Sequence, residues 1–135
     1  MIKVSREQFE KMVSKAIDSL PAPFAEKINN VAFIVEDDVD LETRTYMKLP
    51  PNRTLFGLYQ GVPLSARGGQ LKTLPDKITI YKNPIEFFSN NETELYERIN
   101  HTVWHEVAHY FGLDHERIDQ LEKSRMLKLK NIRNI

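Results

Sequence analysis

Two histidines and one glutamate in the C-terminal third of the sequence have a spacing that suits metal chemistry. His105 and His109 lie four residues apart, and on an α-helix this spacing turns the second side chain by about 400° relative to the first. Both imidazoles therefore project from nearly the same side and can bind one metal ion. Glu106 lies about 100° further round, where its carboxylate can reach a water on that metal and act as a general base. The pattern predicts a metal-dependent hydrolase.

The residues after this segment supply candidates for a third metal ligand. Gly112 can adopt a positive φ and turn the chain sharply, and His115 follows three residues later, giving the pattern H-E-x-x-H-x-x-G-x-x-H. This pattern favours His115 as the third ligand. Asp119 lies one helical turn further on, where it could orient that imidazole, bind the metal itself or simply face solvent. Glu116 is a further candidate.

Other side chains have suitable chemistry, but their spacing does not assign them to a reaction. His101 lies one turn before His105, and a protonated imidazole there could stabilise an oxyanion. An ordinary surface histidine is the simpler interpretation. Three tyrosines and one arginine could donate a hydrogen bond to a transition state, although packing and surface roles explain such residues more often. These residues are Tyr59, Tyr81, Tyr110 and Arg67.

Helical periodicity predicts three helices. The first is amphipathic, begins at Ser5 and ends at Pro21. A long helix is predicted from Asn91 to about Gly112, with the candidate ligands on one side and an apolar stripe on the other. A last helix is expected to begin at a cap formed by Asp114. The stripe of the long helix consists of Leu95, Ile99, Val103, Val107 and Phe111.

Strand-like segments lie between the first helix and the long one. Val31–Val35 is apolar on both faces and predicts a buried strand. Thr54–Gln60 and Lys77–Lys82 have strand composition, and the long loop Gly61–Asp76 between them is of a kind that often borders a site. Glu36–Asn52 has no clear periodicity and is predicted to be a surface loop. Helices at both ends with strands between them predict an α+β domain.

Length, composition and charge narrow the classes of function. The 135 residues predict one domain, 1–135, with a basic tail from about 123 to 135. Positive and negative side chains number 19 each, so no nucleic acid or membrane partner is expected. No cysteine is present, which leaves His, Asp and Glu as the zinc ligands available. The polar N-terminus lacks a signal-peptide pattern, so a cytoplasmic location is expected.

Five stretches, one of them the histidine segment, follow one another in a distinctive order along the sequence. They are Ala16–Pro21, Asn30–Glu36, Leu58–Leu64, Leu74–Tyr81 and Thr102–Gly112. In sequence and in order they resemble the bacterial family of minimal zincin-like metallopeptidases, and the likeness covers nearly all of the chain except its tail. The Leu-Tyr-Gln-Gly-Val-Pro and Leu-Pro-Asp sequences are typical of this family rather than of zincins in general.

The resemblance implies a compact zincin-like domain, in which a small mixed sheet lies beside the active-site helix. Further helices lie at the N- and C-terminal ends, and a rim strand is available to pair with an extended peptide. The family also implies one zinc ion per chain, with His105 and His109 as ligands and Glu106 as the base. At the position of His115 the family often has an acidic residue, so this sequence departs toward a third histidine.

The leading hypothesis is therefore a zinc-dependent metallopeptidase that acts on a peptide or protein substrate. Glu106 would accept a proton from a zinc-activated water and pass it to the departing amine. One alternative is a zincin-fold binding or regulatory module with little or no turnover. A second is a metallohydrolase of small amides, which a deep closed pocket would favour over an open groove.

Overall fold

The computed structural model describes residues 1–61, 76–113, 116–121 and 123 of the chain. Within these ranges helices lie at both ends and strands lie between them, which confirms the predicted α+β class. The elements in chain order are α1 (Arg6–Asp18), α2 (Ala22–Ala25), β1 (Val31–Glu36), α3 (Leu41–Tyr46), β2 (Gly57–Gln60), β3 (Asp76–Tyr81), α4 (Lys82–Phe87) and α5 (Glu92–Tyr110). Residues 116–121 and 123 are also helical.

The three strands form one small mixed sheet in the order β1-β3-β2. β1 runs parallel to β3, and β2 runs antiparallel to it. Ile78 and Ile80 of the central strand are fully buried. The prediction that Val31–Val35 is a buried strand was wrong in part, because β1 lies at the edge of the sheet and its apolar residues are only half-buried.

Helices α1 and α5 supply most of the core. The side chain of Ser5 accepts a hydrogen bond of 3.1 Å from the Gln8 amide, which starts α1 where the capping pattern predicted. The predicted stripe of α5 is buried except at its last member, the half-buried Phe111. The shared core consists of Phe9, Val13 and Ala16 from α1 and Leu95, Ile99, Val103, Trp104 and Val107 from α5.

Two short helices lie where the sequence did not predict them. The segment predicted to be a surface loop contains α3, which begins where Asp40 accepts a hydrogen bond of 2.7 Å from the Thr43 amide. Leu41 and Tyr46 of α3 are 79% and 85% exposed, so this helix has no apolar face to produce a periodic signal. Likewise, α4 starts directly after β3 and takes up Lys82, which was predicted to belong to the strand.

A buried carboxylate fastens the N-terminal residues to α4. Glu86 is only 3% exposed. It accepts a hydrogen bond of 2.7 Å from the Val4 amide and another of 3.0 Å from the Lys82 ammonium. The Ile2 amide also donates to the backbone carbonyl of Glu86. A buried charge is stable only when it is paired, and Lys82 and the Val4 amide pair with the Glu86 carboxylate. These contacts and the Ile2 amide hold the first residues of the chain beside α4.

Some predictions fall on parts of the chain outside the described residues. The loop predicted at Gly61–Asp76 lies there except at its ends, and Asp76 is the first residue of β3. The predicted cap Asp114 and nearly all of the basic tail also lie outside. The last helix itself is present at residues 116–121, where Ile118 is 1% exposed. Across the described parts of the chain, none of the helices combines the length and apolar character needed to cross a bilayer.

Candidate metal centre

Helix α5 brings the two predicted histidine ligands together. The ring centroids of His105 and His109 are 4.8 Å apart, with the ring planes at 78°. Both side chains are half-buried. One imidazole nitrogen of each histidine and one carboxylate oxygen of Glu106 all lie within 4.8 Å of one another. The sequence prediction that these residues share one side of a helix therefore leads to a compact group of metal-binding atoms.

This group has the donor atoms that zinc prefers. Imidazole nitrogen and carboxylate oxygen are ordinary zinc ligands, and two histidines four residues apart on a helix place their nitrogens on one ion. The core stripe on the opposite side of α5 is fully buried at Ile99, Val103 and Val107, so the helix that carries the ligands is held rigidly. The residues present therefore fit a zinc ion held from one side of α5.

The third ligand stays a prediction. His115, the residue favoured by the motif, lies outside the described residues. Gly112 has a φ of +78°, so the chain leaves α5 through the sharp turn that the motif requires. Asp119 and Glu116 are exposed. Neither belongs to the group of ligand atoms that the described residues bring together.

Glu106 is held against β2 beside the two histidines. Its side chain is only 7% exposed, and its Oε1 accepts a hydrogen bond of 3.1 Å from the backbone amide of Tyr59. Burial raises the pKa of the Glu106 carboxyl to about 7, while the Tyr59 amide acts in the opposite direction. A carboxyl group with a pKa near neutrality can both accept and return a proton at physiological pH.

Gly57 allows β2 to approach this side of α5 closely. A Cβ atom at Gly57 would lie 2.6 Å from the Thr102 methyl group and 3.1 Å from Cγ of Glu106. Thr102 donates its hydroxyl hydrogen to the Arg98 carbonyl at 2.7 Å. The first of these contacts is shorter than real side chains make, so only glycine fits between the strand and the helix. Sequence reasoning missed Gly57, because its role depends on a contact between distant segments.

The outer edge of β2 faces the candidate site. The Tyr81 amide donates to the Phe56 carbonyl at 2.9 Å, and alternate residues of an antiparallel strand direct their backbone groups to opposite sides. Gly57 and Tyr59 therefore direct their amides away from β3. The hydrogen bond from Tyr59 to Glu106 agrees with this register. The edge strand β2 thus lies beside Glu106, and the role of rim strand that the family resemblance implied stays a prediction.

A cleft of about 470 Å³ opens next to His105 and Glu106. His101 also lines it, with its ring centroid 6.0 Å from that of His105 and the two planes tilted by 32°. The structure therefore places His101 on the wall of this cleft, and its role stays a prediction. The other wall is formed by residues 52–57 and by Phe88, at the end of α4.

The remaining sequence candidates divide between structural roles and positions that the structure does not describe. The Tyr110 hydroxyl donates to the Asn29 carbonyl at 3.1 Å, which ties α5 to the segment before β1. Tyr81 is 4% exposed, and burial, together with the charges of Asp40, Glu36 and Glu106, raises its pKa. The ring of Tyr59 packs edge-to-face against that of Tyr110, with the ring centroids 6.1 Å apart. Arg67 lies outside the described residues.

Comparison with known proteins identifies the family and the fold. The family described as zincin-like metallopeptidase matches residues 28–125, which is more than half of the chain. A solved structure of a conserved hypothetical protein from Thermus thermophilus is similar, with a TM-score of 0.57 and 16% sequence identity. The similarity covers 80% of this chain and 94% of that one, and at this identity it shows the fold alone. No curated protein matches the chain.

Proposed function

Because the chain belongs to the zincin-like metallopeptidase family, we propose that it hydrolyses peptide bonds with one zinc ion per chain. The ligands would be His105, His109 and His115, and Glu106 would be the general base. The observation that carries this proposal is the position of Glu106, buried beside both imidazoles and directed at the edge of β2. A family fold alone would not suffice, since function depends on the site.

The protein's own residues account for substrate binding and proton transfer. An extended peptide can pair with the outward-facing backbone groups of Gly57, two residues before the Tyr59 amide that holds Glu106, which brings a carbonyl group next to Glu106. Zinc would supply Lewis acidity that activates a water molecule and polarises that carbonyl. Glu106 takes a proton from the attacking water and passes it to the amine nitrogen as the C–N bond breaks. One carboxylate therefore serves as base and then as acid.

The form of the cleft supports a peptide substrate over a small amide. Its wall runs along residues 52–57 and continues into β2, and Asn52, Arg53, Thr54 and Phe88 are shared with a second cleft of about 360 Å³. We take these two adjoining clefts as one elongated binding region rather than a single closed pocket. An elongated surface beside a strand edge is suited to a chain of several residues.

The proposal is tested by separating metal binding from hydrolysis. The full chain, purified without a metal-affinity tag, is analysed for zinc and assayed on a pool of fluorescent peptides. Glu106→Gln should keep one zinc per chain and lose at least about a thousandfold in hydrolysis, because the isosteric amide cannot accept the proton. His109→Ala should lose both, since two nitrogens are needed from α5.

A third variant tests the remaining ligand: His115→Ala should lower the zinc content. Asp119→Ala is its control and should keep the zinc content of the parent. Hydrolysis that persists in Glu106→Gln would disprove the assignment of the base. A parent protein that binds zinc but cleaves no peptide in the pool would instead favour a binding module of the same fold.

A further inference from the structure

The cleft beside the candidate metal centre has an aromatic wall whose purpose the metal site does not explain. Phe56, just before β2, and Phe88, just after α4, line it side by side, with ring centroids 5.7 Å apart and planes at 61°. Phe88 is 48% exposed and Phe56 is half-buried. A large apolar ring left in contact with water next to a site is a common sign of ligand binding.

The backbone that carries Phe88 is tied into the end of α4, and a cation lies near Phe56. The amide of Phe88 donates to the Pro84 carbonyl at the end of α4. The next residue, Ser89, is fully buried and its hydroxyl donates to the Ile85 carbonyl at 2.8 Å. On the other side the guanidinium of Arg98 lies 6.0 Å from the centre of the Phe56 ring. These contacts hold the backbone that carries Phe88 and place a cation near the Phe56 ring, so the wall is present before any ligand arrives.

The wall is also continuous with the strand that would hold the substrate backbone. Phe56 directly precedes Gly57, which lies against Glu106, so the cleft begins one residue away from the contact with the general base. A peptide paired with β2 would therefore direct one of its side chains, close to the bond that is cleaved, toward Phe56 and Phe88. The cleft volume of about 470 Å³ is within the range of about 300–1,000 Å³ that is typical of ligand sites.

We propose that this cleft is a specificity pocket that selects peptides with an aromatic side chain next to the cleaved bond, with Phe88 as the selecting residue. The proposal rests on the proposed peptidase function. An aromatic guest gains apolar burial and can also form edge-to-face contacts with the two rings, which an aliphatic guest cannot. The expected preference for phenylalanine over alanine at this position is about tenfold in kcat/KM.

The test uses zinc-loaded full-length protein and alanine-based hexapeptides in which one phenylalanine is moved along the chain. Mass spectrometry of the products should show the cleavage site moving with the phenylalanine. Phe88→Ala should reduce the phenylalanine-to-alanine ratio of kcat/KM to about twofold, mainly through KM. Tyr46→Ala is the matched control, because Tyr46 is an aromatic residue that is 85% exposed and lines neither cleft; its ratio should stay near that of the parent.

A second readout does not depend on turnover. Zinc-loaded Glu106→Gln protein is titrated with the blocked tripeptides Ac-Ala-Phe-Ala-NH₂ and Ac-Ala-Ala-Ala-NH₂ and followed by NMR. The phenylalanine tripeptide should bind about tenfold more tightly and shift the resonances of Phe56 and Phe88.

The outcomes separate this inference from the proposed function. Equal cleavage of phenylalanine and alanine peptides, or a preference that survives in Phe88→Ala, would overturn the specificity pocket and leave the peptidase intact. If no peptide is cleaved, the peptidase proposal fails. In that case selective binding of the phenylalanine tripeptide at Phe88 would still support the aromatic pocket, and absence of that binding would overturn it.

Discussion

Two sides of helix α5 differ in burial and in the kind of side chain that they carry. One side carries Ile99, Val103 and Val107, which are fully buried in the shared core with α1. The other carries His101, which is exposed, and His105 and His109, which are half-buried. The first side contributes apolar burial and fixes the helix in space. The second side contributes little apolar burial. It presents the histidines at a position that the packing of the first side fixes.

Between these two sides lies a third stripe that faces β2. Thr102 and Glu106 are 4% and 7% exposed, and both contact the space where Gly57 has no side chain. This stripe is polar yet buried, an arrangement that costs stability unless each group finds a partner. One helix thus keeps the residues for stability and the residues for chemistry on separate stripes. Changes on each stripe should therefore have distinct consequences.

The largest effect is expected on the core stripe. Ile99→Ala removes fully buried apolar groups and leaves a cavity, so the free energy of unfolding should fall by about 3 to 4 kcal/mol. Chemical denaturation of parent and variant measures this change. Zinc content at a temperature where the variant is folded should stay at the parent value, because no ligand atom is altered. A folded Ile99→Ala protein without zinc would show that the two sides are not separable.

The stripe that faces β2 should make the free energy of unfolding depend on pH. Burial raises the pKa of Glu106 from 4.5 to about 7, so the metal-free folded protein binds a proton there that the unfolded chain releases between these values. The free energy of unfolding should therefore fall as pH rises from about 4.5 to about 7, by about 3 kcal/mol, and change no further above that window because of this group.

Glu106→Gln is the matched control for this pH effect, since the amide keeps the side-chain shape and cannot ionise. Denaturation of metal-free parent and variant should give equal stabilities near pH 4, with the variant more stable by about 3 kcal/mol at pH 8. Equal stabilities at both pH values would mean that the folded protein ionises Glu106 as easily as the unfolded chain does.

A smaller effect is expected where β2 meets α5. In Gly57→Ala the added methyl group would press on Thr102 and Glu106 and displace the carboxylate relative to the histidines. The expected loss is about a hundredfold in kcat, with zinc content retained, because a small misplacement of a catalytic group is costly. The pH dependence of kcat should also shift, because the carboxylate that accepts the proton is displaced, and simple loss of folded protein would not cause this shift. Leu58→Ala, on the same strand, is the control and should change kcat far less.

Much of α5 was determined by the sequence alone. The repeat of apolar residues every four positions marked the buried side, and the spacing of His105 and His109 marked the metal side, because both follow from the 3.6-residue period of the helix. The caps Ser5 and Gly112 likewise indicated the start of α1 and the turn after α5. Local rules suffice for these features, since every residue involved lies within a few positions of its partner.

Tertiary structure alone decided what faces the metal side. The hydrogen bond from Tyr59 to Glu106 joins residues 47 positions apart, and the aromatic wall joins Phe56 to Phe88 across two elements. The short helices α3 and α4 left no periodic signal, and Gly57 looked like any strand residue. Burial, a raised pKa and a cleft arise only when separate segments pack together. Such contacts depend on the position of whole elements, which the pattern of one segment does not encode.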